Sequence, residues 1–211
     1  MTDSVLILRG LEELYPEIRF IERLRHCIET YPDLNWGDAM SRGQMSSKLW
    51  ILHQLHMNDK THLGRVAVCG GWVGILPRLL FDNVVIHTTH IHSMDIDLKV
   101  TIAAGELNSE YIIDDQFTST LTNCHDVHYG NYDTIINTSC EHFSDFDHWW
   151  EKIPVGKFVV LQSNDFTEIK DHVDCVFSAD ELAVNAGLSE LYFKGSLPCY
   201  GYTRYMIMGV K

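Results

Sequence analysis

Apolar residues recur at three-to-four spacing over residues 5–14, 18–31 and 46–57, which predicts three helices. Pro16 and Pro32 punctuate them, and residues 38–40 read as a short helical turn before Gly43. From Arg65 onward, short apolar runs rich in β-formers alternate with helical stretches. Strands are predicted at 65–69, 116–122, 132–137 and 157–162, with one more ending near Ser93 and Met94. Helices are predicted at 73–81, 98–107, 146–152 and 179–186, although Pro77 sits awkwardly in the first turn of its helix. Residues 190–194 and 202–210 read as a final antiparallel pair. Such alternation implies right-handed crossovers and a doubly wound, mostly parallel α/β sheet. Ile135-Ile136 and the run from Phe158 to Leu161 have the apolar character of strands covered on both faces. In such sheets a ligand binds at the carboxyl ends of the strands, where the strand order reverses.

Bulk properties narrow the reading. A chain of 211 residues with 45% hydrophobic content suits one compact domain with a real core. No stretch approaches the roughly 18 apolar residues of a membrane helix. The start, Met1-Thr2-Asp3-Ser4, lacks the basic-then-apolar pattern of a signal peptide, so cytoplasmic residence is expected. The cysteines Cys27, Cys69, Cys124, Cys140, Cys175 and Cys199 include no Cys-x-x-Cys pair and read as free thiols. The formal charge is −13, and the 16 Lys and Arg never cluster into a run. That balance argues against gripping a phosphate backbone. A small molecule, or the side chain or terminus of a protein, is the expected partner; the oligomeric state is left open.

The stretch most suggestive of chemistry runs from Val66 to Gly74, where a strand leads into glycines and then a helix. Glycines there allow a sharp turn and a close approach of backbone to ligand. Asp95 and Asp97 follow the second strand, where nucleotide sites place a carboxylate for ribose hydroxyls. Asp95 lies 25 residues past Gly70 against the usual ~20, so an insertion is expected near residues 87–90. Further on, Asp126 and Val127 can meet an adenine amino group and ring. A buried strand then ends in polar residues that include Asn137, Glu141 and His142.

This ordered series resembles the class I S-adenosylmethionine-dependent methyltransferases. Gly70, Gly71 and Gly74 match that family's glycine-rich first motif, Asp95 its ribose-binding acid, and Asp126 its acid near adenine. Residues 133–142 look like its fourth-strand segment, with Glu141-His142 similar to the leucine-Glu-His-leucine ending common there. Residues 149–161, 178–188 and 202–207 are similar to its later helices, fifth strand and seventh strand. The resemblance covers about residues 62–211. It implies a seven-stranded sheet of order 3-2-1-4-5-7-6 with the seventh strand antiparallel. It also implies an N-terminal helical cap over residues 1–61, on which Gln44, Ser47 and Lys48 are candidates for the ligand-facing side. S-adenosylmethionine is the implied cofactor, held by Gly70, Gly71, Trp72, Gly74, Asp95, Asp126, Val127 and Asn137. Departures exist: Val68 stands where many members have an acid, and Trp72 where a glycine often sits. Neither the Asn-Pro-Pro-Tyr segment nor the Pro-Cys nucleophile of DNA methylases is present.

The reaction so implied is methyl transfer to a nitrogen or oxygen, an in-line displacement in which the enzyme aligns the acceptor. His142 suits removal of an acceptor proton, and Glu141 an orienting role. Gln162, Ser163 and Asn164, with Asp165, end the fifth strand where the acceptor would lie. Three histidine groups invite a metal: His87, His90 and His92; His125, Asp126 and His128; and Glu141 with His142. None has a helix-borne His-Glu-x-x-His spacing, and the expectation is no metal. Other uses of the sulfonium, such as aminopropyl transfer, and a non-catalytic ligand-binding module remain open alternatives.

Overall fold

The computed structural model describes residues 3–211; Met1 and Thr2, part of the start read above, lie outside them. Four helices come first: α1 (Asp3–Leu14), α2 (Arg19–Thr30), α3 (Trp36–Ala39) and α4 (Arg42–Met57). The sheet strands are β1 (His62–Cys69), β2 (His87–Asp95), β3 (Phe117–Leu121), β4 (Thr134–Asn137), β5 (Phe158–Asn164), β6 (Glu190–Pro198) and β7 (Thr203–Val210). Between them lie α5 (Ile75–Phe81), α6 (Leu98–Leu107), α7 (Ser109–Ile113), α8 (Phe146–Glu151) and α9 (Ala179–Ala186). The strand order is β3-β2-β1-β4-β5-β7-β6, with β7 antiparallel to both neighbours and the remaining pairings parallel. This is the order and sense that the resemblance implied.

Alternation along the strands sorts the core into two layers. Val66, Val68, Ile136, Val160 and Met206 face α4 and α5, whose Ile51, Leu55, Leu76 and Leu80 are fully buried against them. Ala67, Cys69, Ile135, Val159 and Leu161 face the other way, toward Trp149 of α8 and Leu182 of α9. Strand residues one apart therefore serve different helices, which is the period-two geometry of a covered sheet. A third cluster joins Leu24, Cys27, Trp36 and Ala39 to Val73, Ile75, Val100, Ala103 and Leu107. It seats α2 and α3 on α5 and α6, next to the turn that follows β1.

Local chemistry sets several boundaries. Ser41 accepts from Gln44 N (3.3 Å), so α4 starts four residues before the predicted position. At α9, Ser178 accepts from Glu181 N (3.0 Å) while the Glu181 carboxylate accepts from Phe177 N (2.7 Å), close to a capping box. Pro77 is the third residue of α5, where its missing N–H is one a helix start leaves unpaired anyway; the helix begins at Ile75 rather than Val73.

The insertion expected near residues 87–90 is absent. Those residues form the start of β2, paired in parallel with His62 to Arg65 of β1. They read as polar because no helix covers that face: His90 Nε2 meets Thr118 Oγ1 (3.0 Å), and His92 bridges Tyr132 Oη (2.6 Å) and Thr120 Oγ1 (2.7 Å). The apolar-on-both-faces rule fails for this strand because its neighbours supply polar partners. Among the described residues, no helix is long and apolar enough to cross a membrane.

Candidate functional site

The carboxyl ends of β1 and β4, the switch point of the sheet, carry the glycine turn. Gly70 (φ 62°), Trp72 (φ 48°) and Gly74 (φ 78°) all adopt left-handed backbone. Trp72 thus takes the conformation a glycine would adopt freely, at a cost of ~1–2 kcal/mol. Two contacts hold it there: Trp72 N donates to Asp95 Oδ2 (2.9 Å), and the indole packs against the core shared with α2 and α3. Gly71 N donates to Met94 O (2.9 Å), and a side chain at Gly71 would collide with Ser93. The glycines and Asp95 therefore share one rim, with the acid in direct contact with the turn. Asp95 Oδ1 also accepts from Asp97 N (3.0 Å).

Beside this turn, β4 ends in Asn137. Its Oδ1 accepts from Ser139 N (2.9 Å), while its fully buried Nδ2 has no partner. Glu141 follows in a 3-10 turn (Cys140–His142) and is 2% exposed. Its Oε1 accepts from Asn164 Nδ2 (2.5 Å) and lies 3.8 Å from the Arg204 guanidinium, which itself donates to Thr138 O (2.8 Å). Glu141 Oε2 and Arg204 Nε are buried without partners. Native proteins leave few buried polar atoms unpaired. Asn137, Glu141 and Arg204 contribute three such atoms at this one edge.

Helix α4 adds a cation. Lys48 on α4 is 7% exposed, and its Nζ donates to Gln44 Oε1 (2.7 Å). Burial, reinforced by the Arg204 charge, pushes its ammonium down to about 7, with Asp38 pulling weakly the other way. Among the described residues no carboxylate lies within ion-pair distance of it.

The other sequence-assigned residues fall into place as follows. Asp126 is exposed in a 3-10 turn (Cys124–Asp126), and Val127 packs on the core beneath. Within this segment, Cys124 comes nearer the glycine turn: its thiol lies beside the Gly70 N–H, and its carbonyl accepts from Tyr129 Oη (2.9 Å). Gln162 does not face the open edge. It is fully buried, accepting from Ser47 Oγ (2.6 Å) and donating to Ser47 O (3.2 Å), and so locks α4 to the sheet. Ser163 reaches Asp174 O (3.5 Å) and Asn164 holds Glu141, both buried. These three side chains, for which the sequence suggested substrate contacts, are buried and hydrogen-bonded within the protein. Asp165 accepts from Thr203 N (2.7 Å) and Tyr205 Oη (3.1 Å). His90 and His92 of β2 form the hydrogen-bond ladder described above, His87 meets the His62 ring, and His125 stacks on His148.

Sequence reasoning missed Arg204 and His172. The segment after β5 folds back over β4, with Val173 N and Asp174 N donating to Glu141 O (2.8 and 3.0 Å). This return brings the His172 and His142 rings to 4.6 Å, edge to face. Phe166 stacks on Tyr202 (5.5 Å) alongside, and Tyr202 Oη occupies the space a side chain at Gly43 would need. Open hollows elsewhere, between α1 and α2 and at the amino ends of β1 and β4, lie away from this edge. The first is lined by ions already paired, such as Arg25 and Glu12 (2.6 Å).

No protein-family model and no curated protein matches the chain. Its structure is similar to the N-methyltransferase NodS from Bradyrhizobium japonicum WM9, with TM-score 0.63 and 10% identity over 82% of this chain and 98% of that one. It is similar to magnesium protoporphyrin IX methyltransferase (ChlM) from Synechocystis PCC 6803 with bound SAH, with TM-score 0.60 and 16% identity over 96% and 99% of the chains. The cyclase SpnF gives TM-score 0.61 and 9% identity over 82% and 83%. The chain therefore has the fold of the class I S-adenosylmethionine-dependent methyltransferases.

Proposed function

We propose that this chain transfers a methyl group from S-adenosylmethionine to a nitrogen or oxygen of a small-molecule or peptidic acceptor. The observation that carries the reading is the contact of Asp95 with the glycine turn, one strand away from the buried, unpartnered Asn137 amide. Each Asp95 oxygen accepts a single backbone N–H, so each keeps a lone-pair site for a ribose hydroxyl. Asp126 and Val127 would meet the adenine, with Cys124 at its inner edge. Gly70 to Gly74 would floor the amino-acid part, whose carboxylate gives Lys48 the anionic partner it lacks. Asn137 Nδ2 supplies a donor toward the same ligand. When bound, S-adenosylmethionine supplies a methyl group activated by its sulfonium charge.

On the acceptor side, His142 Nδ1 donates to Asp171 O (3.0 Å), which leaves Nε2 with its lone pair to take an acceptor proton. Glu141 orients polar groups from behind, and the residue 1–61 cap, through α3 and α4, excludes water. A charge of −13 favours such acceptors over nucleic acid. The reading places the enzyme in the cytoplasm, a reducing compartment that suits its free cysteines.

Calorimetry tests this directly. S-adenosylmethionine and S-adenosylhomocysteine are expected to bind in the micromolar range, and NAD not at all. Asp95→Ala should weaken both by more than ~1 kcal/mol, the scale of a charge-assisted hydrogen bond. Unchanged affinity in that variant would remove the ribose assignment. Turnover across an acceptor panel should release S-adenosylhomocysteine; methylthioadenosine would identify a different use of the sulfonium.

A further inference from the structure

The geometry points to a divalent transition-metal site formed by Glu141, His142 and His172 at the acceptor side of the glycine notch. One carboxylate oxygen of Glu141 and one ring nitrogen from each histidine lie within 4.8 Å of one another. Among the described residues no other set of three histidine, cysteine or acidic side chains converges in this way. Ligand atoms around a tetrahedral metal stand roughly 3.3 Å apart at bond lengths near 2.0–2.1 Å, so small ring rotations close the set.

Three features prepare these groups to ligate. His142 Nδ1 donates to Asp171 O (3.0 Å) and His172 Nδ1 to Phe166 O (2.6 Å). A carbonyl can only accept, so in both rings the proton sits on Nδ1 and Nε2 carries the lone pair. This is the outer-shell arrangement that fixes metal-binding histidines. The carboxylate divides its oxygens: Oε1 is taken by Asn164 and faces Arg204, while Oε2 is buried and has no partner. The backbone is clamped as well, because Val173 and Asp174 both donate to Glu141 O and so tie the segment bearing His172 to the one bearing His142. A buried carboxylate oxygen without a donor is costly, and a cation on that side satisfies it.

Two imidazoles and one carboxylate suit zinc or a similar first-row ion, with a position left open for an incoming oxygen. A magnesium-type ion prefers an all-oxygen shell and is a poor match. The charged group that approaches the Glu141 carboxylate is the Arg204 guanidinium on β7, 3.8 Å from Oε1, while the Asp171 carbonyl lies behind the His142 ring on its Nδ1 side. With the ion in place, His142 acts as a ligand, and the metal takes over the task of lowering the pKa of an acceptor hydroxyl or amine. That use of the ion rests on the methyl-transfer reading; the presence of the site does not.

Equilibrium dialysis against Zn2+, and titration with Co2+ read by its visible absorption, test the site on the intact chain. The expected result is one ion per chain with the absorption of a four- or five-coordinate Co2+ centre, and no comparable uptake of Mg2+. His172→Ala and the isosteric Glu141→Gln should each weaken binding at least tenfold, while His128→Ala leaves it unchanged. Thermal melts show whether each variant is folded, and Glu141→Gln preserves the shape of the buried side chain if the alanine variant is not. No stoichiometric Zn2+ uptake, or uptake indifferent to both substitutions, overturns the proposal. Calorimetry with S-adenosylmethionine in the presence of a chelator separates the outcomes: cofactor binding without metal uptake sinks only the metal site, and metal uptake without cofactor binding sinks only the methyl-transfer reading.

Discussion

Lys48→Met is expected to raise the thermal stability of the free protein while weakening its affinity for a carboxylate-bearing cofactor. The ammonium is buried with the Gln44 side chain as its main partner, and burial pushes it down to about 7. The sign follows from proton counting. In the unfolded chain the lysine stays protonated up to its ordinary value near 10.5, but in the folded chain only up to about 7. Between those values the unfolded state binds more protons, so stability rises with pH across that window. The penalty is full below pH 7 and fades toward pH 10.5. Methionine fills similar space without a charge, so the variant should gain about 3 kcal/mol near pH 6, within the ~1.4 kcal/mol per pKa unit that linkage allows. For a chain of this size that is a rise in melting temperature of about 6–12 °C. Melts from pH 6 to pH 10 check the prediction, and a gain that does not shrink as pH rises would contradict it. In the parent protein, binding of the cofactor carboxylate should draw a proton onto Lys48 at pH 8, seen as a buffer-dependent heat in calorimetry.

Gly74→Ala should be the most damaging single-methyl change in the glycine turn. Gly74 has φ 78°, and an added Cβ would stand 3.0 Å from the Ala104 backbone and 2.6 Å from Asn108 Nδ2. The left-handed backbone costs ~1–2 kcal/mol for an alanine. Forcing α6 away from the start of α5 adds about 1–3 kcal/mol of overpacking. It also disturbs Asn108, whose amide donates to Gly74 O (3.1 Å) and Ala104 O (2.9 Å). A loss of about 2–5 kcal/mol is expected from these two terms together. Gly156→Ala is the control: its φ is 89°, but nothing lies within 4 Å of the new methyl group, so only the backbone cost applies. Denaturant unfolding of the two variants should differ by at least ~1 kcal/mol. Equal losses would mean that the close approach of α5 and α6 has no energetic weight.

Much of the fold was legible because its signals are local. The strand-glycine-helix run from Val66 to Phe81 carries its own instructions, and helices 98–107 and 179–186 begin and end where apolar periodicity and caps place them. The same locality explains what the sequence left out. His87 to His90 looked like an inserted loop because the polar partners of this strand are distant in sequence: Thr118 lies 28 residues from His90, and Thr120 and Tyr132 lie 28 and 40 residues from His92. Gln162 looked like a substrate contact because a strand residue's face cannot be known until the helix covering it is known; its partner, Ser47, is 115 residues distant. Pro77 looked obstructive until Gly74 was seen to occupy the cap position.

The chain by itself determined the alternation of strands and helices, the glycine turn with an acid on the following strand, and the polar ending of β4 at Asn137, Glu141 and His142. Those features depend on neighbours within a few residues, and hydrophobic period and backbone freedom suffice to reveal them. Only the tertiary structure decided which polar groups converge. The return of the segment after β5 sets His172 against His142, β7 delivers Arg204 to Glu141, and α4 buries Lys48 at the same edge. These meetings join residues separated by 30 positions or more or by a helix layer, where no spacing rule operates and packing alone chooses the partner.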